Sequence, residues 1–123
     1  MARYVHLVFS DPPAGVSAAD YDTWYDEHVR EILAVDGWVS VTRYRIDGVV
    51  AADTSGGYRY LACYELDRPP EEAVANLAAS GMGDADSYLA KPDHEALAVP
   101  NWFGDVRFAS WNATRIDPPT PAS

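Results

Sequence analysis

A histidine in the middle of an apolar helix face is the residue of this sequence best suited to proton transfer. From Tyr21 to Leu33, apolar side chains recur at the spacing of one face of an α-helix, and His28 falls inside that series. An imidazole among apolar side chains is partly dehydrated, which lowers its pKa and keeps it neutral near pH 7. A neutral imidazole can take a proton from a carbon or hydroxyl acid and return it elsewhere. The alternative is a core histidine that hydrogen-bonds a backbone carbonyl or a tyrosine.

Tyrosine side chains are the second source of chemistry in the sequence, which holds eight tyrosines and four tryptophans among 123 residues. A phenol can donate a hydrogen bond to a substrate carbonyl or to a developing enolate. Tyr44 and Tyr64 are the candidates for this role, because we expect their strands to lie at the centre of the sheet. The alternative for each tyrosine is packing in a core or an interface.

Further aromatic residues are candidates for binding a flat apolar ligand. Trp24 and Tyr25 precede His28 on the predicted helix, and Trp102 lies before the last predicted strand. His6 lies on the first strand, where it would line the interior of the fold or adjoin an interface. For the three aromatic residues, the competing interpretation is core packing.

The remaining polar residues favour structural roles. Arg43 and Arg45 alternate with other side chains along one strand, and pairing with surface acids is the favoured interpretation over binding of a substrate carboxylate. His94 lies in a polar segment that indicates a surface loop. The single cysteine, Cys63, is interpreted as a small hydrophobic residue of a strand. Three scattered histidines fit no metal-ligand spacing, so neither a metal nor another cofactor is predicted.

Alternating and helical patterns define the elements that must position these residues. Proline pairs end the first strand and precede the second helix, and Asp36-Gly37 marks the end of the first helix. Within the second strand, alternation places Trp38 and Tyr44 on the same face. We predict strands over Arg3–Phe9, Trp38–Ile46, Tyr58–Leu66 and Asp105–Ile116, and helices over Ser17–Val35 and Glu71–Ser80; residues 84–100 suggest only short helical pieces.

The order strand, helix, strand, strand, helix, strand predicts an α+β fold, the ferredoxin-like βαββαβ arrangement. Residues 1–116 would form this single domain, and residues 117–123, rich in proline, a disordered tail. Two helices can cover only one face of the antiparallel sheet. The other face would expose apolar and aromatic side chains, which predicts a homodimer that packs sheet to sheet.

Charge and hydropathy exclude several classes of partner. Nine basic and nineteen acidic residues give a net charge of −10, which argues against binding nucleic acid or an anionic membrane through a basic surface. No apolar run approaches the roughly 20 residues of a membrane span, and the N-terminal segment is unlike a signal peptide. We therefore expect a cytoplasmic homodimer that binds a small hydrophobic or aromatic ligand and neither nucleic acid nor a membrane.

Four segments resemble the EthD-like family of the dimeric α/β-barrel superfamily. They are Trp24–His28, Ala34–Ser40, Arg43–Arg45 and Tyr60–Leu66. The resemblance implies a dimer whose two sheets form a barrel-like shell, with a pocket between sheet and helices in each subunit, bordered by His28. Members of the superfamily include polyketide cyclases, muconolactone isomerases and cofactor-free monooxygenases, so the fold does not choose the reaction.

Together, the residues and the resemblance lead to one leading hypothesis and two alternatives. The leading hypothesis is an EthD-like enzyme with cofactor-free acid/base chemistry, of the cyclase, isomerase or dehydratase type. Its substrate would be a small apolar carbonyl or polyketide-like aromatic compound, with His28 as acid or base and Tyr44 or Tyr64 holding the carbonyl oxygen. The first alternative is a non-catalytic binding or accessory protein for a hydrophobic metabolite. The second is a cofactor-free monooxygenase.

Overall fold

The computed structural model describes residues 3–48, 50, 57–81 and 102–122 of the chain. The elements follow in the order β1 (Tyr4–Asp11), α1 (Ala18–Leu33), β2 (Trp38–Arg45), β3 (Tyr60–Leu66), α2 (Pro70–Ala79) and β4 (Arg107–Thr114), with a 3-10 turn at Phe103–Asp105 before β4. This order confirms the predicted ferredoxin-like α+β fold. The predicted elements are confirmed with shifts of one or two residues at most ends.

A side-chain cap fixes the start of helix α1, and a glycine turn follows its end. The Ser17 hydroxyl accepts a hydrogen bond from the Asp20 backbone N–H at 3.1 Å, which caps the first turn. After the helix, Gly37 adopts a φ of 103°, a conformation that side chains rarely allow. A Cβ atom there would also lie 3.0 Å from the Arg68 side chain and 3.3 Å from the Ala73 Cβ. Only glycine fits this turn, which directs the chain from α1 into β2.

The four strands form one antiparallel sheet in the order β2-β3-β1-β4. The expectation that the strands of Tyr44 and Tyr64 are both central is therefore wrong for Tyr44. Strand β3, with Tyr64, is central, but β2 is an edge strand because only β3 pairs with it in the described part of the chain.

A β-bulge in β2 changes which side chains face the helices. Trp38 lies opposite Leu66, but Ser40 lies opposite Glu65, so β2 holds one extra residue at this point. Trp38 is buried, whereas Tyr44 faces the opposite side and is 53% exposed. The prediction that Trp38 and Tyr44 share a face is wrong for this reason.

Both helices pack on the same face of the sheet, which we call the helix face. The Tyr21 ring of α1 lies 4.9 Å from the Tyr60 ring of β3, centroid to centroid. The Trp38 indole donates a hydrogen bond to the Ala73 carbonyl of α2 at 2.9 Å. The core lies between these layers and consists of Tyr21, Trp24, Tyr25, Ile32, Trp38, Ala62, Tyr64, Leu66, Ala73, Phe103 and Val106.

The opposite side of the sheet, which we call the open face, is not covered by either helix. It carries apolar side chains from all four strands: Leu7, Phe9, Tyr44, Leu61, Cys63 and Trp111. Trp111 is 56% exposed although its ring packs edge-on against Phe9 at 5.7 Å. The predicted exposure of an apolar face is therefore confirmed.

Residues 115–122 contain neither helix nor strand and are exposed, and their predicted disorder stays a prediction. The segment 84–100, for which we predicted short helical pieces, lies outside the described residues. Neither described α-helix is both long and apolar enough to cross a membrane.

Candidate functional site

His28 contacts aromatic side chains, most of which belong to α1 itself. Its ring stacks on Trp24 with centroids 4.8 Å apart and planes 17° apart, because the two residues are one helical turn apart. Tyr25 meets the imidazole edge-on at 5.7 Å. Burial lowers the pKa of His28 to about 4, so the imidazole is neutral at pH 7. His28 is nevertheless only partly buried, so part of its surface is accessible.

Two residues from the segment before β4 add aromatic rings to this cluster. The rings of Trp102 and Phe103 lie 5.4 and 5.3 Å from the Trp24 ring, both in edge-to-face geometry. Trp102 is half-buried, whereas Phe103 is buried. The structure thus brings together four residues that were predicted to share a site, namely Trp24, Tyr25, His28 and Trp102.

Tyr64 joins the site from strand β3. Burial raises its pKa to about 12, and burial likewise raises the pKa of Tyr25 well above its usual range. The two phenols are close enough to couple their ionisation, but no hydrogen bond of ordinary geometry joins them. Both phenols are therefore neutral at pH 7, and the Tyr64 hydroxyl, which has no partner among the described residues, is available as a hydrogen-bond donor.

Two buried polar hydrogens at this site find no acceptor in the described part of the chain. They belong to the Tyr64 hydroxyl and the Trp24 indole Nε1. Buried polar groups are nearly always hydrogen-bonded, because leaving one unpaired costs about 1–3 kcal/mol. Such donors, next to a neutral imidazole, suit a ligand with a carbonyl oxygen.

His6 reaches the same face of the sheet on the far side of Tyr64. Its ring lies 6.4 Å from the Tyr64 ring and 5.3 Å from the Trp38 ring. Its Nδ1 lies 2.7 Å from the Asn112 Oδ1, which can only accept, so Nδ1 carries the proton and the neutral ring has its lone pair on Nε2. Burial lowers the pKa of His6, and the Asn112 hydrogen bond opposes that shift.

Tyr44 is the one predicted site residue that the structure places elsewhere. It lies on the open face, because the bulge in β2 reverses the orientation of the residues that follow. The same bulge turns Arg43 toward the helices. The Arg43 guanidinium lies 4.3 Å above the Tyr25 ring and binds Asp22 at 2.9 Å. Sequence analysis favoured pairing with an acid for Arg43 but missed its position in the site.

Phe103 and Asn112 are the other residues of this site that sequence analysis did not identify. Phe103 lies in a segment without a clear helical or strand pattern. Asn112 lies beside His6 only because β1 pairs with β4, and the two residues are 106 positions apart. No cluster of three or more potential metal ligands occurs within residues 3–48, 50, 57–81 and 102–122. His94 lies outside these residues.

Comparisons with known proteins show similarity of fold and no more. No protein-family model matches the sequence, and no curated protein sequence matches it. A crystal structure of At3g17210 from Arabidopsis thaliana has a TM-score of 0.51 at 17% identity, covering 98% of each chain. The solution structure of the same plant protein has a TM-score of 0.53 at 16% identity, covering 100% of this chain and 93% of that one.

More distant similarity extends to two bacterial proteins. A dimeric ferredoxin-like protein of unknown function from Thermobifida fusca has a TM-score of 0.45 at 14% identity over 88% of each chain. The cofactor-independent oxygenase SnoaB from Streptomyces nogalater has a TM-score of 0.45 at 15% identity over 97% of each chain. These values leave membership of the EthD-like family a prediction.

Proposed function

We propose that this protein catalyses cofactor-free proton transfer on a small, apolar carbonyl or aromatic compound, in a cyclisation, isomerisation or dehydration. The observation that carries the proposal is a neutral imidazole in contact with Trp24 and Tyr25, in a site that holds two buried donors without an acceptor in the described part of the chain. His28 stacks on Trp24, whose indole N–H lacks an acceptor among the described residues, as does the Tyr64 hydroxyl. A hydrogen-bond acceptor in an otherwise apolar ligand would satisfy such donors.

Each site residue receives one role in this proposal. His28 removes a proton from the substrate and returns it at another position. Tyr64 donates a hydrogen bond to the carbonyl oxygen, which gains negative charge as the proton leaves. Trp24, Tyr25 and Trp102 form the apolar wall, which excludes water and so strengthens the hydrogen bond to that oxygen.

His6 is the internal alternative to His28 as the base. Both imidazoles are next to the Tyr25–Tyr64 phenol pair, one on each side. His6 has a fixed tautomer with the lone pair on Nε2, whereas a pKa of about 4 makes His28 a weaker base. We assign the base to His28 because its ring stacks directly on the indole that has an unpaired donor.

Deuterium exchange into a simple ketone tests this assignment and does not require the natural substrate. Acetophenone, a small aromatic ketone, is incubated with the protein in D2O at pH 7, and loss of its methyl proton signal is followed by NMR. We expect the wild type to accelerate exchange, and His28→Asn to lose at least about a hundredfold of that acceleration. His6→Asn is the matched control. Full exchange in His28→Asn, with loss in His6→Asn, would transfer the role to His6.

A binding protein without turnover is the second candidate function. The low pKa of His28 favours it, because a weakly basic imidazole suits a structural hydrogen bond better than proton removal from carbon. In that case acetophenone binds, as seen by shifts of the His28 ring protons, but its methyl protons exchange no faster than in buffer. Binding with no exchange would thus replace the enzymatic proposal.

We further propose that the protein forms a homodimer through the open face. This face carries apolar side chains of all four strands, among them the exposed Trp111 and Tyr44. A second copy is the occupant we favour, because one border of the face carries both signs of charge. There, Asp11 binds Arg59 at 2.6 Å and Arg107 at 3.4 Å. In a two-fold dimer the same surface of both subunits meets, so acidic groups of one subunit can lie opposite basic groups of the other.

Sedimentation velocity tests the dimer. We expect Trp111→Asp to convert the dimer to a monomer, because it would bury a carboxylate within an apolar interface. Ile116→Asp is the matched control: the side chain is 92% exposed but lies beyond the end of β4, and we expect this variant to remain a dimer. A dimeric Trp111→Asp variant, or a monomeric wild type at high concentration, would refute the proposal.

A further inference from the structure

Among the arginines of the described ranges, Arg43 is the one that packs between the sheet and α1. Its side chain is 21% exposed. The guanidinium carbon lies 4.3 Å from the centroid of the Tyr25 ring and 5.7 Å from that of the Tyr60 ring. One of its nitrogens, Nη2, donates to the Asp22 carboxylate at 2.9 Å. Arg43 is thereby fixed in place next to the phenols of the candidate site.

This position gives the site a positive potential. The charge of Arg43 acts to lower the pKa values of Tyr21, Tyr25 and Tyr64, although burial raises all three overall. Asp22 offsets part of that charge, but its side chain is 51% exposed, and water screens it more strongly than the half-buried Arg43 side chain. An anionic oxygen next to Tyr64 would therefore be stabilised.

Arg45, two residues along the same strand, lacks this setting. It binds Asp47 at 2.9 Å, and both side chains are 79% exposed. Water screens such a pair, and its field does not extend into the layer between sheet and helix. The two arginines share residue type, strand and ion pairing, and they differ in burial.

We propose that Arg43, acting with the Tyr25–Tyr64 phenol pair, forms an oxyanion site that selects weakly acidic substrates, whose enolate or phenolate form it stabilises, over neutral compounds of the same shape. The inference rests on the proposed function of this site and specifies its substrate class. Arg43 is a positioning residue in this scheme: it acts through the phenols and through its charge.

The chemistry of an enolisable substrate balances as follows. The base takes a proton from the carbon next to the carbonyl, and the C–H electron pair forms a C=C bond. The carbonyl π electrons move to the oxygen, which becomes an enolate held by the Tyr64 hydroxyl. The imidazolium then returns the proton to carbon as the carbonyl re-forms. In a dehydration the carbonyl also re-forms, the C=C electron pair shifts to the next carbon and breaks its C–O bond, and the imidazolium protonates the departing hydroxyl, which leaves as water.

Two probes of nearly equal shape test the selectivity. One is 4-nitrophenol, used at a pH at which half of the free compound is ionised, and the other is nitrobenzene, which stays neutral. Binding of each is measured by titration for the wild type, Arg43→Gln and the control Arg45→Gln. We expect the preference for 4-nitrophenol over nitrobenzene to fall about tenfold in Arg43→Gln and to stay within about twofold in Arg45→Gln.

The outcomes separate this inference from the proposed function. If the wild type binds neither probe, the proposed function fails as well. If it binds both probes and Arg43→Gln keeps the wild-type preference, only the oxyanion site fails. Should Arg43→Gln not fold, Asp22→Asn decides: removing the offsetting carboxylate must increase the preference for 4-nitrophenol, and an unchanged or lower preference overturns the inference.

Discussion

On the helix face of the sheet, Tyr64 keeps 1% of its surface exposed, whereas Tyr44, on the open face, keeps 53%. Both faces are rich in aromatic side chains, but their surroundings differ. On the helix face, burial keeps imidazoles and phenols neutral, and two buried donors find no acceptor among the described residues. On the open face, charged groups at the border bind one another next to water. The same residue types thus provide a candidate reaction site on one face and an interface on the other.

The largest contrast between the faces is expected in stability. Tyr64→Ala should lower the free energy of unfolding by about 3 kcal/mol, because it removes a buried ring that contacts Trp38 and leaves a cavity. Tyr44→Ala should cost less than about 0.5 kcal/mol, since the ring is exposed. Urea unfolding of both variants in the Trp111→Asp background keeps dimer dissociation out of the comparison. Equal losses at the two tyrosines would show that the faces do not differ in packing.

The pH dependence of stability should distinguish the faces next. The unfolded chain protonates His28 near its ordinary pKa of 6.5, but the folded protein does so only at about 4. The stability that the neutral His28 imidazole contributes is therefore fully present above pH 6.5 and is lost as the pH falls toward 4. Between pH 7 and pH 5, the wild type should lose about 2 kcal/mol more than His28→Asn does.

The open face provides the internal reference for this pH dependence. Burial works to raise the pKa of Asp11, but its hydrogen bonds and charge interactions with Arg59 and Arg107 outweigh that and lower it. A lowered carboxyl pKa contributes stability that is lost only below about pH 3.8, the ordinary value. Asp11→Asn should therefore keep the wild-type slope between pH 7 and pH 5. Parallel wild-type and His28→Asn curves over this range would contradict the assigned burial of the imidazole.

Sequence analysis predicted those parts of the helix face that depend on local patterns. The apolar spacing of α1 places Trp24, Tyr25 and His28 together without reference to any other element. The alternation of β3 likewise places Tyr64 on one face with Ala62 and Leu66, and the structure buries all three. Both patterns are local, but alternation alone does not say which face of β3 points to the core.

The remaining parts depend on how distant strands pair. The bulge near Val39 exchanges Arg43 and Tyr44 between the faces, since one extra residue reverses the orientation of all that follow. Alternation within β2 contains no sign of this bulge, which exists only in the pairing with β3. The contact of His6 with Asn112 depends in the same way on the pairing of β1 with β4.

The smallest expected contrast concerns a pair of serines on opposite faces. Ser10 is 1% exposed, and its hydroxyl accepts a hydrogen bond from Tyr21 at 2.6 Å. Ser10→Ala should cost about 1–2 kcal/mol, because the buried Tyr21 hydroxyl loses its acceptor. Ser40 donates to Glu65 at 3.2 Å on the open face, and Ser40→Ala should cost less than about 0.5 kcal/mol, because water can replace the serine.

A double variant separates the hydrogen bond of Ser10 from its packing. In Ser10→Ala combined with Tyr21→Phe, no polar group of this pair stays buried without a partner, so the double variant should be more stable than Ser10→Ala alone. Urea unfolding at pH 7 measures all four proteins of the cycle. Additive losses would mean that the Tyr21 hydroxyl carries no penalty when its acceptor is removed. The helix face would then tolerate an unpaired polar group as readily as the open face does, and unpaired donors next to His28 would no longer indicate a ligand.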